Sequence, residues 1–272
     1  MLPWLLAALA PMNRTRVKDL LRSGRVLVNG ESATRHDRAL LPGDRVSIAR
    51  ERPNRTNLAI LYQDDALLAI DKPAGLLTVA TDSEKEDTAF VRLAAQTRDR
   101  PFVVHRLDRG TSGVLLFART AAVRDRLQAN WDAIEKTYLA IVEGEPPHER
   151  GTVDNYLTEG ANLRVRARPA ETPGAKRAVS RYRIVARRGG YSLVEVLIET
   201  GRKHQIRVHL AGLGCPVIGD ADYGAVSDPA RRLGLHAARL AFPHPVHGRP
   251  IEIAAPWPSE LARIVPIGGT TR

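Results

Sequence analysis

Cysteine is almost absent from this 272-residue chain. Cys215 is the single thiol, so no disulfide forms within the chain, and a reducing compartment fits. Its setting, Gly-Leu-Gly-Cys-Pro-Val, reads as a buried structural site. One cysteine also cannot build a thiolate metal centre. The eight histidines do not replace it: His204 and His209 stand five apart, the His-Glu-x-x-His spacing is missing, and His244 and His247 read as turn residues. The metal expectation is therefore none. No Gly-x4-Gly-Lys-Ser/Thr loop or dinucleotide fingerprint occurs, so a nucleotide cofactor is not expected either. Long apolar runs are missing too. The opening Met-Leu-Pro-Trp-Leu-Leu-Ala-Ala-Leu-Ala lacks a basic leader and is too short to span a bilayer. It reads as the first helix of a packed domain, and the protein as cytoplasmic, with no membrane partner.

Arginine is plentiful. Only six of the 41 basic residues are lysine, and the formal charge is +11 with a pI near 10.3. Such a balance points to a polyanion, because each neutralised phosphate releases counterions, and guanidinium suits phosphate forks and base stacking. Genomic composition bias is the competing explanation. The charge is uneven: residues 1–55 carry a net +6 and residues 161–190 a net +8, which leaves the remainder slightly acidic. In the second stretch Arg alternates with Val and Ala from Arg164, and then Pro173-Gly174 leads into Lys176-Arg177. This is either a basic hairpin touching phosphates or a strand edge kept charged against pairing. Its one-signed charge favours phosphate contact.

Residues 1–50 form a unit of their own. Thr15 to Leu21 reads as a short helix carrying Arg14, Arg16, Lys18 and Arg22, with Ser23-Gly24 as its stop. Arg25-Val26-Leu27-Val28-Asn29-Gly30 is an alternating strand ending in an Asn-Gly hairpin turn, and Pro42-Gly43-Asp44 turns the chain into Arg45–Ile48. The polar residues 51–57 read as a linker. From residue 58 to 272, strand-like runs at 58–62, 67–71, 137–142, 180–185, 192–198 and 250–253 outnumber one helical pattern at about 120–133. This predicts an α+β domain on a large, mainly antiparallel sheet, preceded by a small α/β domain. A monomer is the default.

Residues 103–119 hold the most specific chemistry. Asp108 stands between Arg106 and Arg109 and enters a Gly-Thr-Ser-Gly turn before an apolar run. Cations beside a loop carboxylate keep it ionised, as a nucleophile facing an anionic substrate requires; an Asx-turn or a cap is the alternative. Residues 205–209 read as a strand with Gln205, Arg207 and His209 on one polar face and Ile206 and Val208 on the other.

His105-Arg106-Leu107-Asp108 with Thr111-Ser112-Gly113 resembles the signature motif of the RluA family of RNA pseudouridine synthases. Lys72-Pro73-Ala74-Gly75-Leu76-Leu77, Lys136-Thr137-Tyr138-Leu139-Ala140-Ile141-Val142 and Thr200-Gly201-Arg202-Lys203-His204-Gln205-Ile206-Arg207-Val208-His209 resemble the other family motifs, in the family's order. The resemblance implies isomerisation of uridine to pseudouridine in RNA, with neither cofactor nor metal. It implies Asp108 as the catalytic aspartate, Tyr138 as the ring stacked on uracil and Arg207 as the partner of the aspartate. Arg106 matches the arginine that fills the space left by the flipped nucleotide. Arg202, His204 and Gln205 become candidate RNA contacts. By itself, Tyr138 is as well read as a strand residue with a buried ring. Residues 1–50, with Arg25–Gly30 and Leu40-x-Pro-Gly-Asp-x-Val46, resemble an S4 RNA-binding domain. That pairing suggests large-subunit ribosomal RNA as the partner, with transfer RNA as runner-up. A catalytically idle RNA-binding protein on the same fold is the rival reading.

Overall fold

The computed structural model describes residues 1–22, 26–33, 38–48, 57–81, 87–160 and 164–267. The expected helix stop at Ser23-Gly24, the start of the strand at Arg25 and the linker at 51–56 lie outside the described residues. The chain divides into two compact units, 1–56 and 57–272. Among the described residues no helix is long and apolar enough to cross a membrane.

The smaller unit packs two helices, α1 (Leu2–Ala8) and α2 (Arg14–Arg22), on a sheet of β1 (Val26–Val28), β2 (Glu31–Ser32) and β3 (Val46–Ile48) in the order β2-β1-β3. Asn13 caps α2, its Oδ1 accepting from Arg16 N–H at 2.9 Å. Val17, Leu20 and Leu21 at helical spacing bury against Leu2, Leu5 and Val26. The opening apolar run is thus core, and the turn between β1 and β2 is the Asn29-Gly30 pair, both at positive φ.

The larger unit is built on one eleven-stranded sheet. Its strands are β4 (Ala59–Gln63), β5 (Leu67–Lys72), β6 (Phe102–Val103), β7 (Ser112–Ala118), β8 (Glu135–Glu143), β9 (Arg150–Glu159), β10 (Val165–Arg168), β11 (Lys176–Arg188), β12 (Tyr191–Ile198), β13 (Leu235–Pro243) and β14 (Pro250–Ala254). The main path runs β10-β9-β11-β12-β8-β13-β7-β5-β4, with β14 beside β13 and β6 beside β7. Every described strand pair is antiparallel except β13 with β7, which makes the sheet mixed. Helices α3 (Ala89–Thr97), α4 (Ala121–Ala129), α5 (Gln205–Gly212) and α6 (Ser259–Ala262) complete the unit. Thr88 and Thr120 cap α3 and α4 through their hydroxyls. The helical pattern expected to about residue 133 ends sooner, at Ala129, and a short 3-10 turn covers Trp131–Ala133.

Two features of this sheet position the functional residues. The central strands β5, β7 and β8 are nearly continuous in Leu, Ile, Val and Ala because both faces are covered, so β7 is buried at all seven positions. The parallel join brings His236 beside Ser112 and Ala237 beside Gly113. Gly113 has φ +110°, and a Cβ there would overlap the Ala237 carbonyl. Only glycine lets the two strands approach where the 108–111 turn meets the sheet.

The basic stretch 161–190 also finds its place here. From Arg166 on, its arginines lie on β10 and β11, and the neighbouring strands and loops supply acids: Arg177 pairs with Asp154, Arg181 with Glu199, Arg183 with Glu195, and Arg187 with Glu145 and Glu149. Charge that is one-signed along the chain is balanced across the sheet. Arg166 and Arg168 on the edge strand are exposed, and among the described residues they make no ion pair.

Candidate active site

The expected strand at 205–209 is a helix. Two β-branched residues favour a strand locally, but Gln205 overrides them. Its Oε1 accepts from Thr200 Oγ1 (2.8 Å) and Arg202 N–H (3.0 Å), while its Nε2 donates to Val179 O and Ser180 Oγ. These bonds turn the chain, and His204 takes a left-handed conformation (φ 53°) to start α5. Gln205 and His209, four apart, therefore both reach Ser180. Its hydroxyl accepts from Gln205 and donates to His209 Nδ1 at 2.9 Å, and His209 Nε2–H donates to Asn155 at 3.0 Å. Both side chains are buried and occupied within the fold. Gln205 is thus a structural bracket rather than a surface contact. Arg207, two residues from each, leaves the helix on another side.

That side faces Asp108. Arg207 forms a fork with Asp220 (Nε–Oδ2 2.7 Å, Nη2–Oδ1 2.6 Å), reaches Asp222 at 3.2 Å and lies 4.9 Å above the Tyr223 ring. Its remaining nitrogen, Nη1, is 3.8 Å from Asp108 Oδ2. Burial works against the guanidinium charge, but the Asp220 hydrogen bond and the charges of Asp220 and Asp108 outweigh it, so Arg207 is held charged. The Asp108 side chain keeps 31% exposure, enough for a ligand to reach it.

His204 is the other neighbour of Asp108, with Nε2 3.9 Å from Oδ2. Tyr223 Oη accepts from Val165 N–H at 3.2 Å and lies 2.9 Å from His204 Nδ1. Its own proton is free for Nδ1, which leaves Nε2–H toward the carboxylate. Burial, against the pull of Asp108, lowers the imidazole pKa and favours this neutral form.

The turn carrying Asp108 is fastened from below. Lys72, fully buried, donates to Pro73 O, Leu76 O and Arg109 O at 3.0, 2.8 and 3.4 Å. Burial pushes its ammonium down to about 7. Gly75 N–H also bonds Arg109 O, and Arg109 Nε returns a bond to Gly75 O. The separate Lys-Pro-x-Gly and Asp108 segments thus form one double-turn clamp. On the far side of Gly113, Arg232 donates to Ser112 Oγ at 2.6 Å and pairs with Glu260, while Ser112 donates to His236 Nδ1 at 2.8 Å.

A pocket of about 1020 Å³ opens over Asp108. Tyr138 lines it from β8, partly buried. Burial, and then the Asp108 charge, push its phenol well above the ordinary range, so the ring is a neutral face and not a phenolate base. Arg106 and Arg202 line the same pocket and are exposed. Asp108, Tyr138, Arg207, Arg106, Arg202 and His204 therefore meet around one cavity. Arg14, Arg16 and Lys18 are exposed on α2 of the smaller unit; the Arg22 side chain is not among those described. Chemically, the cavity offers an accessible carboxylate, a flat uncharged ring and a cationic rim.

Sequence alone did not single out Asp220, Asp222 or Tyr223. Their signal is Gly219-Asp-Ala-Asp-Tyr-Gly224, two acids and an aromatic bracketed by positive-φ glycines. A Cβ at Gly219 would overlap the Arg232 carbonyl. His244 and His247 do sit at a turn, with Asp64 close by. Asp64 Oδ1 accepts from Ala66 and Leu67 N–H, and its Oδ2 from Tyr62 O–H and His244 Nε2–H. His244 Nδ1 accepts from Val246 N–H. An imidazole that donates at one nitrogen and accepts at the other has no lone pair left for a cation.

The family described as RNA pseudouridylate synthase matches residues 66–212, which contain Asp108, Tyr138 and Arg207. The chain belongs to that family. It is 32% identical to the Bacillus subtilis RNA pseudouridine synthase YlyB over 93% of this chain and 88% of that one. It is 35% identical to the ribosomal large subunit pseudouridine synthase D of Xanthomonas campestris over 96% of this chain and 86% of that one. The solved structure of human RNA pseudouridylate synthase domain containing 4 superposes with a TM-score of 0.63 at 26% identity, covering 75% of this chain and 92% of that one. The chain is an RNA pseudouridine synthase, an isomerase that modifies RNA.

Proposed function

We propose that this synthase acts on uridine in large-subunit ribosomal RNA, with Asp108 as the reacting carboxylate. The observation that carries the reading is the asymmetric clamp on Arg207: Asp220 takes its Nε and Nη2, and Nη1 is left toward the exposed Asp108. A carboxylate needed only for a turn would not be given a dedicated, pre-positioned cation. A uridine within folded RNA must be extruded, at a cost of a few kcal/mol. Stacking on Tyr138, worth roughly 1–3 kcal/mol, and Arg106 entering the vacated space offset it. Asp108 then either attacks C1′ and displaces N1 or takes the C2′ proton as the N1–C1′ bond breaks. The uracil turns, C5 bonds to C1′ as the aspartyl–C1′ bond breaks or the C2′ proton is returned, and the C5 proton is then lost while N1 takes one up. Arg207 and His204 flank the carboxylate at 3.8 and 3.9 Å and aim it at the substrate.

The ribosomal assignment draws support from the 35% identity to a chain named for the large subunit. It also draws on the smaller unit, read as an S4-like RNA-binding arm presenting Arg14, Arg16 and Lys18. The test is pseudouridine mapping of total RNA from cells with the gene intact, deleted, and restored as wild type or Asp108→Ala. Large-subunit sites lost on deletion and regained only with wild type are expected. Sites in transfer RNA instead would overturn the ribosomal assignment, and full restoration by Asp108→Ala would remove Asp108 from the chemistry.

A further inference from the structure

The pocket over Asp108 is larger than one extruded base requires. At about 1020 Å³ it reaches the top of the range for drug-sized ligands, about 300–1,000 Å³. Past Tyr138 it continues to a second wall of Val104, Gln128, Trp131 and Gly201. Lys136, two residues from Tyr138 on β8 and so on the same face, joins this wall to the strand by donating to Trp131 O at 2.8 Å and Ile134 O at 2.6 Å. The offset along the strand is about 7 Å, two residues at about 3.4 Å each.

This second wall carries polar atoms with no protein partner among the described residues. The Trp131 indole stacks on His105 with ring centres 4.5 Å apart, and His105 is pinned because its Nε2 accepts from Leu116 N–H at 3.0 Å. Trp131 is half-buried, and among the described residues its Nε1–H donates to no protein acceptor and is not closed off from the pocket. It lies beside Gly201, where a Cβ would come within 3.5 Å of it, so the missing side chain keeps this donor open to the pocket. Gln128 complements it. Its amide nitrogen donates to Val104 O at 2.9 Å, which orients the amide, and among the described residues Oε1 has no donor.

We propose that this lobe is a subsite for the base adjacent to the target uridine, with Trp131 Nε1–H donating to a ring or carbonyl acceptor and Gln128 Oε1 accepting an N–H. It rests on the uridine reading of the Asp108 pocket and adds to it a reader of neighbouring sequence. A donor and an acceptor lining one lobe discriminate among bases by their edges, whereas stacking alone would not. If Trp131 served only to pack His105, the open N–H and the vacancy at Gly201 would have no use.

The test uses a synthetic RNA hairpin centred on the mapped uridine, with the 5′ or the 3′ neighbour made abasic, and compares wild type, Trp131→Phe and Gly201→Val. One abasic neighbour should lower wild-type kcat/KM about 10- to 100-fold, the range expected for one base contact. Gly201→Val, which fills the lobe, should bring the intact hairpin down to that level and cost nothing further on the abasic one. Trp131→Phe keeps the stacked ring and removes the donor, so a smaller loss confined to the intact hairpin is expected. The subsite is overturned if neither abasic neighbour changes kcat/KM, or if Gly201→Val loses equally on both RNAs. Failure of the underlying reading looks different, because wild type would then form no pseudouridine on the intact hairpin.

Discussion

Arg207 lies between two carboxylates with opposite fates. The Asp220 side chain is 1% exposed and takes a two-point fork at 2.6–2.7 Å; that of Asp108 is 31% exposed and stands 3.8 Å from the remaining nitrogen. The 219–224 turn satisfies its acid completely, and the 108–113 turn leaves its acid short of a hydrogen bond. A fully bonded carboxylate is a poor nucleophile and a good anchor, whereas a nearby but unspent one keeps its lone pairs for a substrate. One arginine thus binds structure with one edge and serves chemistry with the other.

Replacing each acid should separate these roles. Asp108→Asn is expected to lower kcat by about 10⁴-fold, near the upper range for loss of a positioned acid–base group, with thermal stability and RNA affinity nearly unchanged. Measurable turnover within tenfold of wild type would contradict the assignment. Asp220→Ala leaves Arg207 buried without its main partner, which costs about 3–5 kcal/mol. For a unit of this size that is a fall in Tm on the order of 10 °C. Its kcat should fall as well, because Arg207 loses its direction. A thermal melt showing no change would mean that Asp222 and Tyr223 suffice to hold the guanidinium.

This contrast also explains what the sequence could and could not convey. The helix and turn of the small unit, the central strands β5 and β8 and the loop acid Asp108 follow from local signals: helical spacing, Asn-Gly, apolar runs, an acid in a Gly-rich turn. Residues 205–209 misled because strand character in Ile206 and Val208 is local, whereas Gln205 is committed by bonds to Thr200, Val179 and Ser180. Asp220 went unseen because its partner is 13 residues away and acids in a Gly-bracketed turn look like punctuation. Sheet pairing neutralised the arginines of β11 for the same reason: the acids that meet them come from other strands and the loops beside them.

The neutral histidines extend the comparison to pH. His105 accepts from Leu116 N–H, His209 from Ser180 and His236 from Ser112, and each of these bonds requires an unprotonated nitrogen. Burial lowers their pKa values to about 3, 4 and 4. Since the unfolded value is about 6.5, the unfolded chain binds the extra protons first. The stability they contribute is complete above about pH 6.5 and is lost as the pH falls through about 4. At pH 5 the loss is about 2 kcal/mol for each of His209 and His236. Urea melts at pH 7 and pH 5 should show this difference, and His209→Gln should shrink it. An equal midpoint at both pH values would mean that other groups compensate.

The smallest expected effect concerns the arginines themselves. Arg183 meets Glu195 in a two-point pair, whereas Arg166 and Arg168, on the edge strand, meet no acid among the described residues. If the 161–190 stretch touches RNA, the unpaired edge residues should release counterions and the paired one should not, because its carboxylate already neutralises it. Each phosphate contact adds about 0.7–0.9 to the slope of log affinity against log salt. Arg166→Gln with Arg168→Gln should therefore flatten that slope by about 1 to 2, and Arg183→Gln should leave it within error. Equal effects would show that RNA displaces Glu195 on binding, and the apparent balance of charge across β11 and β12 would then be a resting state that the substrate opens.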